Sequence, residues 1–247
     1  MTYNTHPVIS VITVCYNAVN ELERTILSVL NQTYNNMEYI IIDGGSTDGS
    51  IELIKKYEDK ISFWVSEPDK GIYDAMNKGI AKANGEWVNL MNTGDIFASN
   101  TVLEEIFNTE YNDSVKFLYS DNYYLRKDQT KKLAVHSHKN MSILHQSTIY
   151  RKSLHNIHGI YIVTPKLIVS DYLFFSSLPS DYFKKVNTII SINTVDGVSS
   201  QSLWCGTQYL FGRVVFRQTT MSEFVTAYFK FRLKRMFPFL ASLIGKI

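Results

Sequence analysis

Polar residues of a few types stand at the ends of successive apolar runs. Thr13, Tyr16 and Asn17 lie at the first, Asp43 at the second, Asp69 beyond the third and Asp95 beyond the fourth. Residues of these types can do nucleotide chemistry together. A pyrimidine base offers one ring N–H between two carbonyls, so a carboxylate can accept the N–H while an aromatic ring stacks on the base. Asp43 and Tyr16 are of the types those two roles need, and Thr13 and Asn17 are of types that could contact base or ribose. A carboxylate also binds a hard divalent cation through oxygen, and it can take the proton of a weak hydroxyl nucleophile. The competing reading of Asp43 is local: it orders its own turn through Ser46 or Thr47.

The elements that must position these residues alternate in type. Val8 to Cys15 is an apolar, β-branched run of strand length, and Leu22, Ile26, Val29 and Leu30 then recur at helical spacing. Glu38 to Asp43 predicts a second buried strand, and Ile51, Ile54 and Tyr57 a second helix. Ile61 to Glu67 predicts a third strand, and Tyr73, Met76, Ile80 and Ala83 a helix that Gly85 is expected to cap. Glu86 to Asn92 comes next as a fourth strand. Such alternation implies a mainly parallel central sheet with helices on both faces, and ligands in these sheets bind beyond the carboxyl ends of the strands. Every polar residue named above falls at those ends. Past Val115 the pattern loosens, although Lys116 to Asp121 and Thr188 to Thr194 still read as strands. His136 and His138 alternate along one stretch without a third ligand in view, so a solvated edge is the expectation there.

The turn after the first strand argues against the commonest nucleotide folds. Tyr16-Asn17-Ala18-Val19-Asn20 has no glycine, as a dinucleotide-binding turn requires. No Gly-Lys-Ser/Thr occurs in the chain, and a nucleotidyltransferase-type loop rich in glycine and arginine is also missing. The two cysteines, Cys15 and Cys205, suit neither a metal site nor a disulfide framework. A cytoplasmic setting is expected from that, and from a start without the basic and apolar run of a secretory signal.

Five segments in order resemble the family 2 glycosyltransferases, whose fold is called GT-A. They are Ser10-Val11-Ile12-Thr13-Val14-Cys15-Tyr16-Asn17, Ser28 to Tyr34, Ile42 to Ser50, Glu67 to Gly79, and Leu90-Met91-Asn92-Thr93-Gly94-Asp95. His145-Gln146 and Ser170-Asp171-Tyr172 are weaker late landmarks. The chain looks most like bacterial enzymes that build O-antigen and capsule-type polysaccharides.

The resemblance implies an inverting transferase that moves a sugar from a nucleoside-diphosphate donor, UDP or dTDP ahead of GDP. It implies Asp95 as ligand of Mg²⁺ or Mn²⁺ and Asp171 as the base that takes the acceptor proton. It also places Asp69 and Asn77 near the donor, and His145 and Gln146 on the acceptor side. The family's usual second acid after strand two is Gly44 here, and Met76 stands where relatives often carry an arginine. Helix capping is the local alternative for both Asp95 and Asp171. An alternative function is a catalytically weak sugar-nucleotide-binding subunit of a membrane glycan-assembly complex.

Charge is divided unevenly. Residues 213–247 carry seven basic side chains against Glu223 alone, a net +6, so the rest of the chain holds −4 within a total of +2. Residues 1–212 are expected to form the transferase domain, with 1–110 as its nucleotide-binding half and 111–212 as its acceptor half. Residues 213–247 are expected to form a basic amphipathic helical tail on the cytoplasmic face of a membrane, and a lipid-linked glycan acceptor would suit that location. The run from Met236 to Gly245 is too short to span and carries Pro238, so it would lie in the headgroup zone. Packing on the domain or on a second copy as a homodimer is the other possibility for the tail. Nucleic acid is not expected as a partner, because the basic charge is confined to the tail and no binding motif accompanies it.

Overall fold

A computed structural model of the chain describes residues 9–194 and 203–236. Its first part runs β1 (Ile9–Cys15), α1 (Val19–Leu30), β2 (Met37–Asp43), α2 (Ser50–Lys56), β3 (Phe63–Ser66), α3 (Ile72–Lys82) and β4 (Trp87–Leu90). The short β5 (Ile96–Phe97) and α4 (Val102–Phe107) come next, then β6 (Phe117–Tyr119), β7 (Asn122–Leu125) and β8 (Lys131–Ala134). After β9 (Thr148–Arg151), α5 (Ser153–His158) and α6 (Ser170–Ser176) come β10 (Phe183–Lys185) and β11 (Ser191–Thr194). Helices α7 (Leu203–Val215) and α8 (Met221–Met236) complete the described chain.

Seven strands form the central sheet in the order β10-β6-β9-β4-β1-β2-β3. All run parallel except β9, which pairs antiparallel with both β4 and β6. Strand β1 sits inside this sheet with all seven residues buried, as a strand covered on both faces must be. Its period of two divides the core. Ile9 and Val11 pack with Leu22, Ile26 and Val29 of α1 and Ile54 of α2. Ile12 and Val14 pack on the other side with Met76 and Ile80 of α3 and Phe174 and Phe175 of α6. Helices therefore cover both faces, and the parallel sheet read from the first four strands is present.

The second sheet, β5-β11-β7-β8, has four strands and lies beside the loop after β4. Its strands are short and mixed in polarity, and of the four only β11 is legible in the sequence. The large sheet takes strands from both sides of residue 110, so the two halves share one sheet. The 212/213 division falls inside α7, which packs on α6 through the Tyr172 and Tyr209 rings, 4.8 Å apart. The hydroxyl of Tyr172 also donates to Gln218 Oε1 at 2.9 Å.

Gly85 is not the expected left-handed cap. Helix α3 ends at Ala83 in an extended conformation. Gly85 is small because the chain passes tightly over β1: a Cβ there would lie 2.5 Å from Ser10 N. Its own N–H donates to Ser10 Oγ at 2.8 Å.

Candidate active site

The carboxyl ends of β1 to β4 converge on one edge, as the parallel arrangement requires. The first three loops there are built largely from side chains expected to face a ligand. Asp43 is fully buried. Its Oδ2 accepts from Gly45 N at 3.0 Å, Ser46 N at 2.8 Å and Ser66 Oγ at 2.6 Å, and its Oδ1 accepts from Ser46 Oγ at 2.5 Å. Four donors saturate a carboxylate. Asp43 thus builds the turn after β2, which is the local reading of its role, and presents no free oxygen to a base.

Three more expected contacts are similarly engaged within the protein. Thr13 is buried and donates to Met91 O at 2.8 Å while accepting from the Tyr39 hydroxyl at 3.0 Å. Asn17 takes a left-handed backbone, φ 46°, and its Oδ1 accepts from Thr47 N at 2.9 Å. The amide of Asn77 pairs twice with the backbone of Tyr161, donating to its carbonyl at 2.8 Å and accepting from its N–H at 3.0 Å. A sequence pattern shows these residues at the right edge but not which backbone groups claim them. Of the six expected nucleotide contacts, Tyr16, Asn17 and Asp69 keep free surface. Tyr16 is 65% exposed, and among the described residues Asp69 bonds only Gly71 N, at 2.8 Å through Oδ1. Met76 is fully buried in the core, so it faces no ligand.

Asp95 comes after the Asn92-Thr93-Gly94 turn and is nearly buried. Gln146 Nε2 donates to its Oδ2 at 2.6 Å, and Thr194 N donates to its Oδ1 at 3.1 Å. Burial raises its pKa against the opposing pull of these hydrogen bonds and of nearby His145. Helix α1 holds the turn from below: Thr25 Oγ1 donates to Asp95 O at 2.8 Å and accepts from Gly94 N at 3.0 Å, and Arg24 donates to the Gly94 carbonyl. Two buried amide oxygens here, Asn92 Oδ1 and Gln146 Oε1, have no hydrogen-bond partner among the described residues.

Asp171 lies in the first turn of α6. The Tyr73 hydroxyl donates to its Oδ1 at 2.7 Å, and His145 Nδ1 lies 2.9 Å from its Oδ2. Asn92 Nδ2 is 2.8 Å from the other ring nitrogen of His145. As oriented, that amide donates to Nε2, which leaves the proton on Nδ1 to be donated to Asp171. Burial works against the charged carboxylate, but the hydrogen bonds from His145 and Tyr73 outweigh it and hold the Asp171 pKa below its ordinary value. The dipeptide His145-Gln146 therefore joins the two acids: His145 holds Asp171, and Gln146 holds Asp95. Tyr73 and Asn92 are parts of this array that the sequence does not single out. Tyr73 lies in an apolar helical stripe and reads as core; its place two residues after Gly71, at the edge where loops converge, is the available signal.

The other histidines do not form a metal pair. His136 is engaged with Asn122 Oδ1 and Ser142 O, whereas His138 bonds the Tyr119 hydroxyl and stacks on Phe183. Among the described residues no three His, Cys, Asp or Glu side chains cluster as a metal site.

Comparison with known proteins bears on the family and the fold. Residues 10–163 match the model of the family described as glycosyl transferase family 2. An uncharacterized glycosyltransferase of Mycobacterium tuberculosis is 41% identical over 100 residues, 40% of this chain and 38% of that protein. The putative teichuronic acid biosynthesis glycosyltransferase TuaG of Bacillus subtilis is 37% identical over 95 residues, 37% of this chain and 38% of that protein. These matches thus span about two-fifths of the relatives' length. Among solved structures, Staphylococcus aureus TarS 1-349 in complex with UDP superposes with a TM-score of 0.65 at 16% identity, covering 93% of this chain and 72% of that one. The mannosyltransferase PcManGT of Pyrobaculum calidifontis, in complex with GDP-Man and Mn²⁺, gives 0.68 at 12% identity, covering 94% of this chain and 70% of that one. At such identities the likeness concerns the fold, which is of the GT-A type. With more than half of its length matched by the family model, and with its strands and helices laid out as in these structures, the chain belongs to glycosyl transferase family 2.

Proposed function

We propose that the protein is an inverting glycosyltransferase in which Asp171 is the general base. The observation that carries this reading is the carboxylate of Asp171, ionised at neutral pH and held by Tyr73 and by His145, whose neighbour Gln146 holds Asp95. The sugar hydroxyl of an acceptor is a poor nucleophile until its proton can leave. As its oxygen closes on the anomeric carbon, opposite the departing nucleoside diphosphate, the proton passes to Asp171. The depressed pKa keeps this base charged, and proton transfer then comes late, once bond formation has acidified the hydroxyl. Family matching ends at residue 163, so the role of Asp171 rests on its position and partners.

The residues around Asp95 suit a hard divalent cation. One carboxylate and two buried amide oxygens without partners, from Asn92 and Gln146, are oxygen donors of the kind Mg²⁺ and Mn²⁺ take. With a single acid in the set, the diphosphate would supply much of the remaining coordination. These residues would hold a cation whose charge would offset the negative charge on the leaving diphosphate. The resident side chains orient it: Gln146, Thr194 and α1 hold Asp95 and its turn in place.

The donor is a nucleoside-diphosphate sugar. The acceptor in this reading is a lipid-linked or growing saccharide of cell-surface polysaccharide synthesis, in line with the teichuronic acid biosynthesis for which TuaG is named. Helices α7 and α8 support a membrane location. Phe211, Val215, Met221, Val225 and Phe229 are exposed there, at spacings close to helical turns, beside the exposed cations Arg217, Lys230 and Arg232. Such a surface suits an anionic leaflet on the cytoplasmic side. No helix among the described residues is long and apolar enough to cross a membrane. The apolar run of the tail lies, from residue 237 onward, outside the described residues.

The test is release of nucleoside diphosphate from a panel of nucleotide sugars with Mn²⁺, with and without polyprenyl-diphosphate oligosaccharide acceptors. Turnover of one donor with an inverted product supports the reading. Tight donor binding without turnover on any acceptor favours the binding-subunit alternative.

A further inference from the structure

A chain of side-chain amides leads away from Asp95 through the second sheet. Asn193 of β11 is buried beside that acid and, against the effect of burial, favours its charged form. Its Oδ1 accepts from Asn122 Nδ2 at 2.8 Å and from Ser191 Oγ at 2.7 Å, while its Nδ2 completes no hydrogen bond among the described residues. Asn122 of β7 is fully buried, and its Oδ1 lies 2.5 Å from Nε2 of His136, just past β8. The other ring nitrogen, Nδ1, faces the Ser142 carbonyl. Both amides therefore point one way, oxygen toward His136 and nitrogen toward Asp95. That polarity makes a demand on the ring. Ser142 O and Asn122 Oδ1 are acceptors only, and an imidazole that donates to both is a cation.

Burial disfavours that cation and lowers the His136 pKa. The Ser142 carbonyl opposes this, as does Asp121, whose Oδ1 accepts from His136 N at 2.7 Å; Lys185, whose Nζ donates to His136 O at 3.1 Å, adds to it. A neutral ring has one N–H for two acceptors. The Ser142 carbonyl is backbone and keeps its bond to Nδ1. The Asn122 amide can instead turn over within the same outline, giving up its 3.2 Å bond to Tyr123 O and donating to Nε2. Its oxygen then meets Asn193, whose amide turns in response and brings its unpartnered Nδ2 onto that oxygen. We infer that His136 is a positioning residue for Asp95, acting through Asn122 and Asn193: the proton on its ring decides whether an N–H or a carbonyl oxygen faces the carboxylate. The consequence for cation binding rests on the role proposed above for Asp95. That carboxylate already accepts from Gln146 Nε2 and Thr194 N. A third N–H competes with a divalent cation for its lone pairs, whereas a carbonyl oxygen leaves them free. Acid therefore weakens cation binding through His136.

The experiment follows the full chain, ¹⁵N-labelled, through a pH titration by NMR without metal, for wild type and His136→Gln. Above the midpoint in wild type, Nδ1 of His136 should carry the proton and Nε2 none; below it, both should be protonated. The side-chain amide resonances of Asn122 and Asn193 should shift with the same midpoint and stay fixed there in His136→Gln. A neutral ring protonated on Nε2, or an Asn193 amide that ignores the midpoint, overturns the inference. Both are read on wild type alone should the variant fail to fold. Calorimetry of Mn²⁺ alone, above and below the midpoint, reads the consequence. Acid should weaken Mn²⁺ binding about fivefold more in wild type than in His136→Gln. Equal weakening in the two proteins overturns the action on Asp95. Mn²⁺ that binds neither protein defeats the cation reading instead, and the NMR result still decides the amide chain.

Discussion

At the residue scale, the site depends on a relay of three groups. Asn92 donates to His145, His145 donates to Asp171, and Tyr73 closes the other side of the carboxylate. His145 is a positioning residue in this scheme, since it acts through Asp171. Its removal withdraws the hydrogen bond that most opposes the effect of burial on Asp171. A group whose folded pKa is depressed is charged above that value and loses its charge as pH falls through it. In His145→Ala the acid limb of the kcat/KM profile should therefore move to higher pH, with kcat reduced and nucleotide affinity retained. An acid limb at the wild-type position would show that His145 does not set the state of the base.

At this scale the sequence reveals the edge, not the partners. Asp95, Asp171, His145 and Gln146 stand out by their motifs, and adjacent hydrogen bonds link them, His145 to Asp171 and Gln146 to Asp95. Asp43, Thr13 and Asn77 stand out on the same grounds, yet each is claimed by a group remote in sequence: Ser66 for Asp43, Met91 for Thr13, Tyr161 for Asn77. A side chain's free valence depends on tertiary neighbours, and no local pattern carries that information.

At the scale of elements, β1, β2 and β4 are legible because strands covered on both faces must be continuous apolar runs, and the half-buried edge strand β3 because it carries Phe63-Trp64-Val65. Strands β5, β7 and β8 are not, because they are short and partly solvated. Gly85 illustrates the same boundary: its position after α3 suggests a cap, but its requirement comes from Ser10 on another strand. Two substitutions separate these kinds of close approach. Gly79→Ala drives a methyl into the side chain of Ile12, which can shift, whereas Gly85→Ala meets the backbone nitrogen of Ser10, which cannot. Overpacking of the first kind costs about 1–3 kcal/mol. Gly85→Ala should cost more, and urea midpoints in the reverse order would contradict this packing of α3 and β4 on β1.

Helix α5 contributes a pH-sensitive element. Its His155 is buried, stacks on Phe174 with centroids 4.3 Å apart and bonds the Tyr150 hydroxyl. Burial lowers its pKa from the ordinary 6.5 to about 4. Between those values the unfolded chain takes a proton that the folded one refuses, so stability falls as pH drops from about 6.5 toward 4. The loss approaches about 3 kcal/mol at the acid end. His155→Phe should flatten this part of the stability profile, although it gives up the hydrogen bond to Tyr150. An equally steep profile in the variant would assign the acid sensitivity to other groups.

At the scale of the whole molecule, the acidic body and basic tail seen in the sequence become a sheet domain joined to two helices with an exposed apolar and cationic surface. Helix α7 is tied to the body through Tyr172, so the surface is carried at a defined place. The membrane reading predicts flotation of the protein with vesicles containing anionic lipid, weakening with salt because part of the attraction is electrostatic. Combined Phe211→Ser, Val225→Ser and Phe229→Ser should reduce flotation several-fold without lowering donor turnover in solution. Flotation unaffected by those changes would remove α7 and α8 from the contact.

In the proposed mechanism Asp171 acts on the acceptor and not on the donor's nucleotide. The most direct test compares wild type with Asp171→Asn, using the nucleotide sugar that wild type turns over and measuring both donor affinity and transfer rate. Affinity should stay within about twofold of wild type, and the transfer rate should fall by about 100-fold or more. Transfer at the wild-type rate by a folded Asp171→Asn protein would contradict that role.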